Sequence, residues 1–271
     1  MTTQEAMACY RSPDPDDYLE LVGYTRDEIY RDSSGGGALY LAARMVRTMR
    51  LGQSSIVLDL GCGRGETSVL LARHFGVRVV ALDLWTSATF LDEKFTTRGC
   101  RDRIMPLNLD ITGRLPFAAD YFDAVFCMNS LSFYGGSPEF LAHLCAHLRP
   151  QGQLAVGMET LSEEFTPEQL ADPPAVYHYC LPGTDIDVWE GDFSRMHSPG
   201  WWERLFSESG LLEVEHCEEL PDAVVLYEDL VKYQVENGLD PDDVERSIAQ
   251  IEWGRAHRPY KTLFTVTARK R

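Results

Sequence analysis

The chain is short of positive charge. Lysine and arginine number 25 against 42 aspartates and glutamates, a formal net charge of −17 over 271 residues. Such a surface repels nucleic-acid backbones and anionic membranes, because phosphate contacts could not release enough counterions to offset the repulsion. The acidity reads as solubility, and it favours neutral or cationic small molecules over polyanions as substrates. Cysteine is sparse and unpatterned. There are seven, scattered, with no C-x-x-C pair, which argues against a disulfide framework or a zinc site and fits reduced thiols in a cytosol. No apolar run approaches a bilayer-spanning length. The opening Met1-Thr2-Thr3-Gln4-Glu5 lacks the basic and apolar regions that begin a signal peptide. The expectation is a cytoplasmic protein, monomer or homodimer, with a small-molecule substrate, no nucleic-acid or membrane partner and no metal.

What the chain does have is one glycine-dense turn. Ile56-Val57-Leu58-Asp59-Leu60 is an apolar run with an acid near its end, and Gly61-Cys62-Gly63-Arg64-Gly65 follows with glycine at every second position. Val69, Leu70, Ala72, Arg73 and Phe75 then alternate at helical spacing. A buried strand, a tight turn and a helix open a doubly wound α/β domain. The dinucleotide pattern G-x-G-x-x-G places its third glycine one residue later. Here Glu66 stands at that position, and its carboxylate is expected to repel a pyrophosphate while tolerating a phosphate-free cationic ligand.

At this point the chain resembles the class I S-adenosylmethionine-dependent methyltransferases, small-molecule branch (type 11/25-like), whose first motif reads like Val57-Leu58-Asp59-Leu60-Gly61-Cys62-Gly63-Arg64-Gly65. The resemblance implies a Rossmann-like, doubly wound seven-stranded sheet of order 3-2-1-4-5-7-6, with an N-terminal helical lid and an insertion after strand five. It implies S-adenosylmethionine as cofactor, with Asp59, Gly61, Cys62, Gly63 and Gly65 contacting it from the turn. Good motifs run from Leu51 to Gly157; the flanks agree in layout alone.

A second buried strand, Arg78–Asp83, ends in an acid about twenty residues beyond the turn, where nucleoside-binding folds place a carboxylate that accepts from both ribose hydroxyls. Asp83 is assigned that role over the alternative of a helix cap, with Leu84 and Trp85 flanking the adenine. The strand Arg103–Leu109 leads to Asp110-Ile111. In the resembling family an acid there accepts from the adenine amine, and its apolar neighbour packs on the ring. Strand four, Ala124–Met128, ends at Asn129-Ser130-Leu131-Ser132. The Asn/Asp-Pro-Pro-aromatic loop of the family's DNA-modifying members is missing, which argues against a flipped base as substrate. Asn129 is a candidate acceptor toward cofactor or substrate. Phe133 and Tyr134 are candidates to lie against a cation.

The flanks are read in the same way. Residues 1–15, with Pro13 and Pro15, form a mobile lead-in. Short helices follow around Asp16–Val22 and from Thr25, where Thr25 and Glu28 make a capping box. Ser33–Gly37 is a hinge, and Ala38–Met49 an amphipathic helix on the sheet edge. Tyr10, Tyr18, Tyr24, Tyr30 and Tyr40 either line a lid or pack at the domain surface. Strand five is Leu154–Met158. The stretch Glu159–His197, with a helix from Thr166-Pro167 closing on Gln169, is an insertion roofing the substrate. Leu211–Leu220 and Tyr260–Arg269 form a final hairpin holding helices near Asp222–Asn237 and Asp240–Arg255. The layout is a lid over 1–50, a cofactor core over 51–158, a covering insertion over 159–197 and the remaining core over 198–271.

Methyl transfer requires nucleophile, methyl and sulfur in line, a protected chamber, and a base if the acceptor arrives protonated. His197, at the junction of insertion and Trp201-Trp202 helix, is the first candidate base. His178 and Tyr134 come next. His143 and His147, four apart with no third ligand in view, read as a solvated face. The expected function is methyl transfer to oxygen or nitrogen of a small molecule. The alternatives are a catalytically silent cofactor-binding regulator and, further off, a nicotinamide-dependent reductase.

Overall fold

Strand β1 (Ile56–Leu60) is buried along its whole length, as a strand must be when helices cover both faces of its sheet. The computed structural model describes residues 1–32, 37–180, 185, 187, 189 and 196–271. Within them β1 joins β2 (Arg78–Asp83), β3 (Ile104–Asn108), β4 (Phe122–Met128), β5 (Leu148–Leu161), β6 (Leu212–Glu219) and β7 (Lys261–Lys270). The seven strands form one sheet in the order β3-β2-β1-β4-β5-β7-β6, as the resemblance implied. Pairings from β3 through β5 are parallel, and β7 runs antiparallel to both β5 and β6.

Successive strand residues face opposite cores. Val57, Val79, Ala81 and Phe126 belong to one apolar cluster, and Leu58, Leu60, Val80 and Val125 to the other. β5 is longer than its apolar run suggests, because antiparallel pairing with β7 adds rungs out to Leu161–Lys261. That extension carries Glu159 past Met128, where β4 ends.

The N-terminal segment differs from the sequence expectation. Helix α1 (Thr3–Cys9) is capped by Thr2 and Glu5 in a reciprocal box, and Ala6 and Tyr10 are buried, so residues 1–15 are no loose lead-in. The box is the same Thr-x-x-Glu signal read correctly at Thr25, where α2 (Arg26–Tyr30) begins. Between them lies a 3-10 turn, Pro15–Leu21. Helix α3 (Ala38–Val46) lies on β5 and β7, on the face of the sheet and not along its edge, so nearly every side chain in it is buried. Of the expected hinge only Gly37 falls within the described residues.

Four remaining helices matter for the site. They are α4 (Glu66–Phe75), α5 (Ala88–Thr97) and the pair that closes the β6–β7 connection. Numbered in chain order after α6 (Pro138–His147), α7 (Pro167–Ala171) and α8 (Pro199–Glu208), that pair is α9 (Ala223–Glu236) and α10 (Pro241–Ala256). The N-terminal tyrosines dock on it. Tyr18 donates to Asp222 at 2.7 Å, Tyr30 to Asp229 at 2.5 Å and Tyr10 to Glu252 at 3.2 Å. The insertion after β5 builds its own small apolar cluster from Leu161, Phe165, Tyr177 and Trp189, with Trp253 of α10 against it.

Candidate functional site

The turn after β1 is shaped by what surrounds it. Gly61 has φ +70°, and a Cβ there would lie 2.3 Å from Ser130 Oγ, so the β4 loop can close on the turn only over a bare backbone. Gly61 and Cys62 N–H donate to the Leu82 carbonyl at 2.8 and 3.0 Å. A Cβ on Gly65 would meet the Phe95 ring at 2.7 Å, so that glycine serves packing between the turn and α5. Asp59 is fully buried. Its Oδ2 accepts from Thr67 Oγ1 at 2.7 Å and Ser68 Oγ at 2.6 Å, which pins the first turn of α4. Its Oδ1 has no hydrogen-bond partner among the described residues. Burial pushes the Asp59 carboxyl up to about 6, the two hydroxyls opposing that shift.

A cavity of about 480 Å³ opens at the carboxyl ends of β1, β2 and β4. Of the residues singled out in the sequence, Gly61, Gly63, Asp83, Leu84, Trp85, Asp110, Ile111, Asn129 and Tyr134 line it. Asp59, Cys62, Gly65 and His197 do not. Asp59 and Gly65 shape the turn from behind, and Cys62 faces a small recess with Asp32, Glu66 and Thr67.

Asp83 is already heavily engaged. Oδ1 accepts from the N–H groups of Trp85 at 2.9 Å and Thr86 at 2.8 Å, and Oδ2 from Gly63 N–H at 2.9 Å. A carboxylate has about four in-plane acceptor positions, so one remains, on Oδ2. The group can take one ligand hydroxyl without giving up a loop contact. Asn108, which the sequence reading passed over, holds the same loop. Its amide donates to the carbonyls of Asp83, Leu84 and Thr86 at 3.0, 2.7 and 3.2 Å. Asp110 accepts from Thr112 N–H and Oγ1 at 2.8 and 2.7 Å, and those bonds hold its carboxyl below the usual range. Trp85, 82% exposed, meets Phe133 edge-to-face at 6.4 Å.

The far side of the cavity is built by β4 and β5. Asn129 adopts φ +52°, and its Oδ1 accepts from Glu159 N–H at 2.7 Å, so it ties the two strand ends together. Tyr134 OH lies 2.7 Å from Ser130 Oγ, and burial drives its phenol far above the ordinary value; it is a hydrogen-bonding wall and not a proton acceptor at neutral pH. Glu159, also absent from the sequence reading, lines the cavity and pairs with Lys261 Nζ at 2.8 Å. Its partner lies over a hundred residues away, so no local pattern announces it.

No histidine lines the cavity among the described residues. His197 stacks on Trp201 at 3.8 Å between ring centroids, and its Nδ1 lies 3.0 Å from Glu164, so the structure does not bring it to the cavity. Its neighbour Met196 lines the wall instead. His178 is exposed and pairs with Asp187 at 2.5 Å. His143 and His147 stack edge-to-face at 5.4 Å, and no cluster of metal-binding side chains occurs among the described residues.

Glu66 also needs correction. It is 1% exposed and is held by Lys94 at 2.7 Å and Arg98 at 3.3 Å. A carboxylate neutralised inside the protein does not select a ligand by charge, so the electrostatic argument against a pyrophosphate does not rest on Glu66.

Residues 57–152 match the family model described as a methyltransferase domain. Over that stretch the chain is similar to class I S-adenosylmethionine-dependent methyltransferases. Among curated relatives it is 32% identical over 127 residues to a trans-aconitate 2-methyltransferase of Paracidovorax citrulli, covering 45% of this chain and 46% of that protein. The chain thus spans less than half of that relative's length. Two solved structures share the fold. One is a phosphoethanolamine N-methyltransferase of Haemonchus contortus in complex with S-adenosylmethionine (TM-score 0.69, 12% identity, covering 100% of this chain and 60% of that one). The other is the geranyl diphosphate C-methyltransferase of Streptomyces coelicolor with S-adenosylhomocysteine (TM-score 0.64, 16% identity, 86% and 79% covered). At these identities they speak for the fold alone.

Proposed function

We propose that this protein transfers a methyl group from S-adenosylmethionine to an oxygen or nitrogen of a small molecule, with Glu159 and Met196 at the acceptor's wall. The observation that carries the reading is the single cavity of about 480 Å³ in which the glycine turn, Asp83, Asp110 and the β4–β5 wall converge. That volume suits a cofactor-sized ligand. Bare backbone at Gly61 and Gly63 allows close approach, the remaining acceptor position on Asp83 suits a ribose hydroxyl, and Asp110 with Ile111 suits an amino-purine edge. Asn129 lies where it can bond the ligand's other end. Bound there, the cofactor supplies an electrophilic methyl on a cationic sulfur.

On the acceptor side Glu159 is the group suited to take a proton from an O–H or N–H. Asp83, Asp110 and Glu159 line the cavity against one arginine, Arg64, which supports a neutral or cationic acceptor over the polycarboxylate for which the Paracidovorax relative is named. The test is a melting-temperature series: S-adenosylmethionine and S-adenosylhomocysteine raise it and NAD does not. It is followed by methyl transfer from labelled cofactor to a panel of amines, phenols and hydroxy acids. No stabilisation at saturating S-adenosylhomocysteine overturns the reading, and stabilisation without transfer to any acceptor moves it to a cofactor-binding regulator.

A further inference from the structure

A second cavity, about 530 Å³, lies between α9, α10 and the start of β7. It shares no lining residue with the first, and nothing in methyl transfer calls for it. Its floor is apolar, made by Leu220, Val224, Leu230 and Ile251, while Arg255, Arg258 and Lys261 stand at its walls with Glu219 as the one carboxylate. In a chain of net charge −17, three cations stand at this wall, and any of them that its own carboxylates hold loosely can attract an anion.

The state of each charged group narrows the ligand. Glu219 is turned to its own strand neighbours, accepting from Thr262 Oγ1 at 2.8 Å and Tyr260 OH at 3.2 Å. Arg255 is spent on Glu228 at 2.5 Å and Glu252 at 2.6 Å. Arg258 is not. Its nearest carboxylate, Glu163, is 3.9 Å away with both side chains more than half exposed, a pairing worth little in water, and its guanidinium rests 4.4 Å from the Tyr260 ring centroid. Lys261 is held by Glu159 at 2.8 Å and by Gln250 Oε1 at 3.3 Å. An ammonium has three N–H groups, and beyond these two oxygens Lys261 Nζ has, among the described residues, only the Tyr227 ring, 5.2 Å to its centroid, a weaker partner than a carboxylate would be. Arg258 with donors to spare, and Lys261 with a ring in place of a third oxygen, stand above an apolar floor and form the complement of a small carboxylate with a hydrocarbon body.

We propose that this second cavity binds a small amphipathic carboxylate through Arg258 and Lys261. Lys261 also ties the site to the first cavity, since the ligand carboxylate and Glu159 compete for the same ammonium. Linkage is reciprocal, so weakening the Glu159 hold strengthens the ligand's. The site goes beyond the methyltransferase reading and is tested without cofactor, so failure of one leaves the other standing.

The experiment is calorimetric titration of the full chain with hexanoate and phenylacetate, and with hexanamide and phenylacetamide as neutral controls. The acids bind saturably and the amides do not. Arg258→Gln, at an exposed position, weakens the acids by roughly tenfold, the size expected for one charge-assisted hydrogen bond. Val224→Trp, which fills the cavity, abolishes binding, and Glu159→Gln tightens it several-fold. Circular dichroism melts of each variant check that the fold is kept. No saturable binding of either acid overturns the proposal. So does equal binding of acids and amides, or wild-type affinity in both Arg258→Gln and Val224→Trp. Unchanged affinity in Glu159→Gln overturns the tie to the first cavity.

Discussion

Replacing Asp83 with asparagine removes one oxygen from a carboxylate whose acceptor positions are nearly all assigned. In the variant the amide oxygen keeps the place of Oδ1, because two N–H groups, Trp85 and Thr86, point at it. The NH₂ then replaces Oδ2, facing Gly63 N–H, which it cannot accept, and facing the position left for a ligand hydroxyl. One hydrogen bond inside the turn and one to the ligand are lost together. Each is charge-assisted and worth about 1.5–3 kcal/mol. The ligand's share lowers S-adenosylhomocysteine affinity by roughly ten- to a hundredfold, and the loop's share lowers unfolding free energy by about 1.5–3 kcal/mol. Calorimetric titration with S-adenosylhomocysteine and urea unfolding on the same preparation separate the two. An unchanged dissociation constant beside a lowered midpoint would mean that Asp83 serves the loop alone, and the assignment of its last acceptor position to the cofactor would be refuted.

Gly61→Ala pushes a methyl into Ser130 Oγ, 2.3 Å away, at a φ of +70°; we expect about 1–3 kcal/mol less stability in chemical unfolding, and loss of S-adenosylhomocysteine binding. Asp59 has its carboxyl pushed up from 3.8 to about 6 by burial, so the folded state holds that proton longer than the unfolded chain. Its contribution is fully present below about pH 4 and is lost as pH rises through about 6, some 3 kcal/mol in all; unfolding of Asp59→Asn across that range shows the dependence flattened. Lys94→Met leaves the buried Glu66 carboxylate with Arg98 alone, at a cost of about 3 kcal/mol near neutral pH. Burial already raises the Glu66 carboxyl despite Lys94, so the deficit in melting temperature shrinks on acidification as that group takes up its proton. Once an acceptor is in hand, Glu159→Gln lowers turnover by about 10²-fold or more, whereas His197→Ala leaves it near wild type. The opposite order would return the base to His197.

Much of the core was legible because its signals are local. A parallel strand covered on both faces reads as an unbroken apolar run, and β1 is one. A glycine at every second position between that strand and a helix has few other uses, and the acids at Asp83 and Asp110 follow at spacings set by one strand–helix–strand repeat. The capping boxes at Thr25 and Thr166 were equally local; the identical one at Thr2 was overridden by two prolines that lie beyond the helix it starts. Chemistry assigned from sequence position depends on packing that the sequence does not show. Glu66 sits in the turn but folds inward onto Lys94 and Arg98, and His197 sits at a junction but stacks on Trp201.

By itself, then, the chain determined the strand–turn–helix unit and the carboxylates at the strand tips, because each depends on residues a few positions apart. Tertiary structure decided which side chains face open space. Glu159 reaches the cavity only because antiparallel pairing with β7 lengthens β5 and brings Lys261 beside it. Arg258 and Lys261 share a cavity only because α9 and α10 fold back over the start of β7. Contacts between residues distant in the chain follow from packing, and packing leaves no periodic trace in sequence.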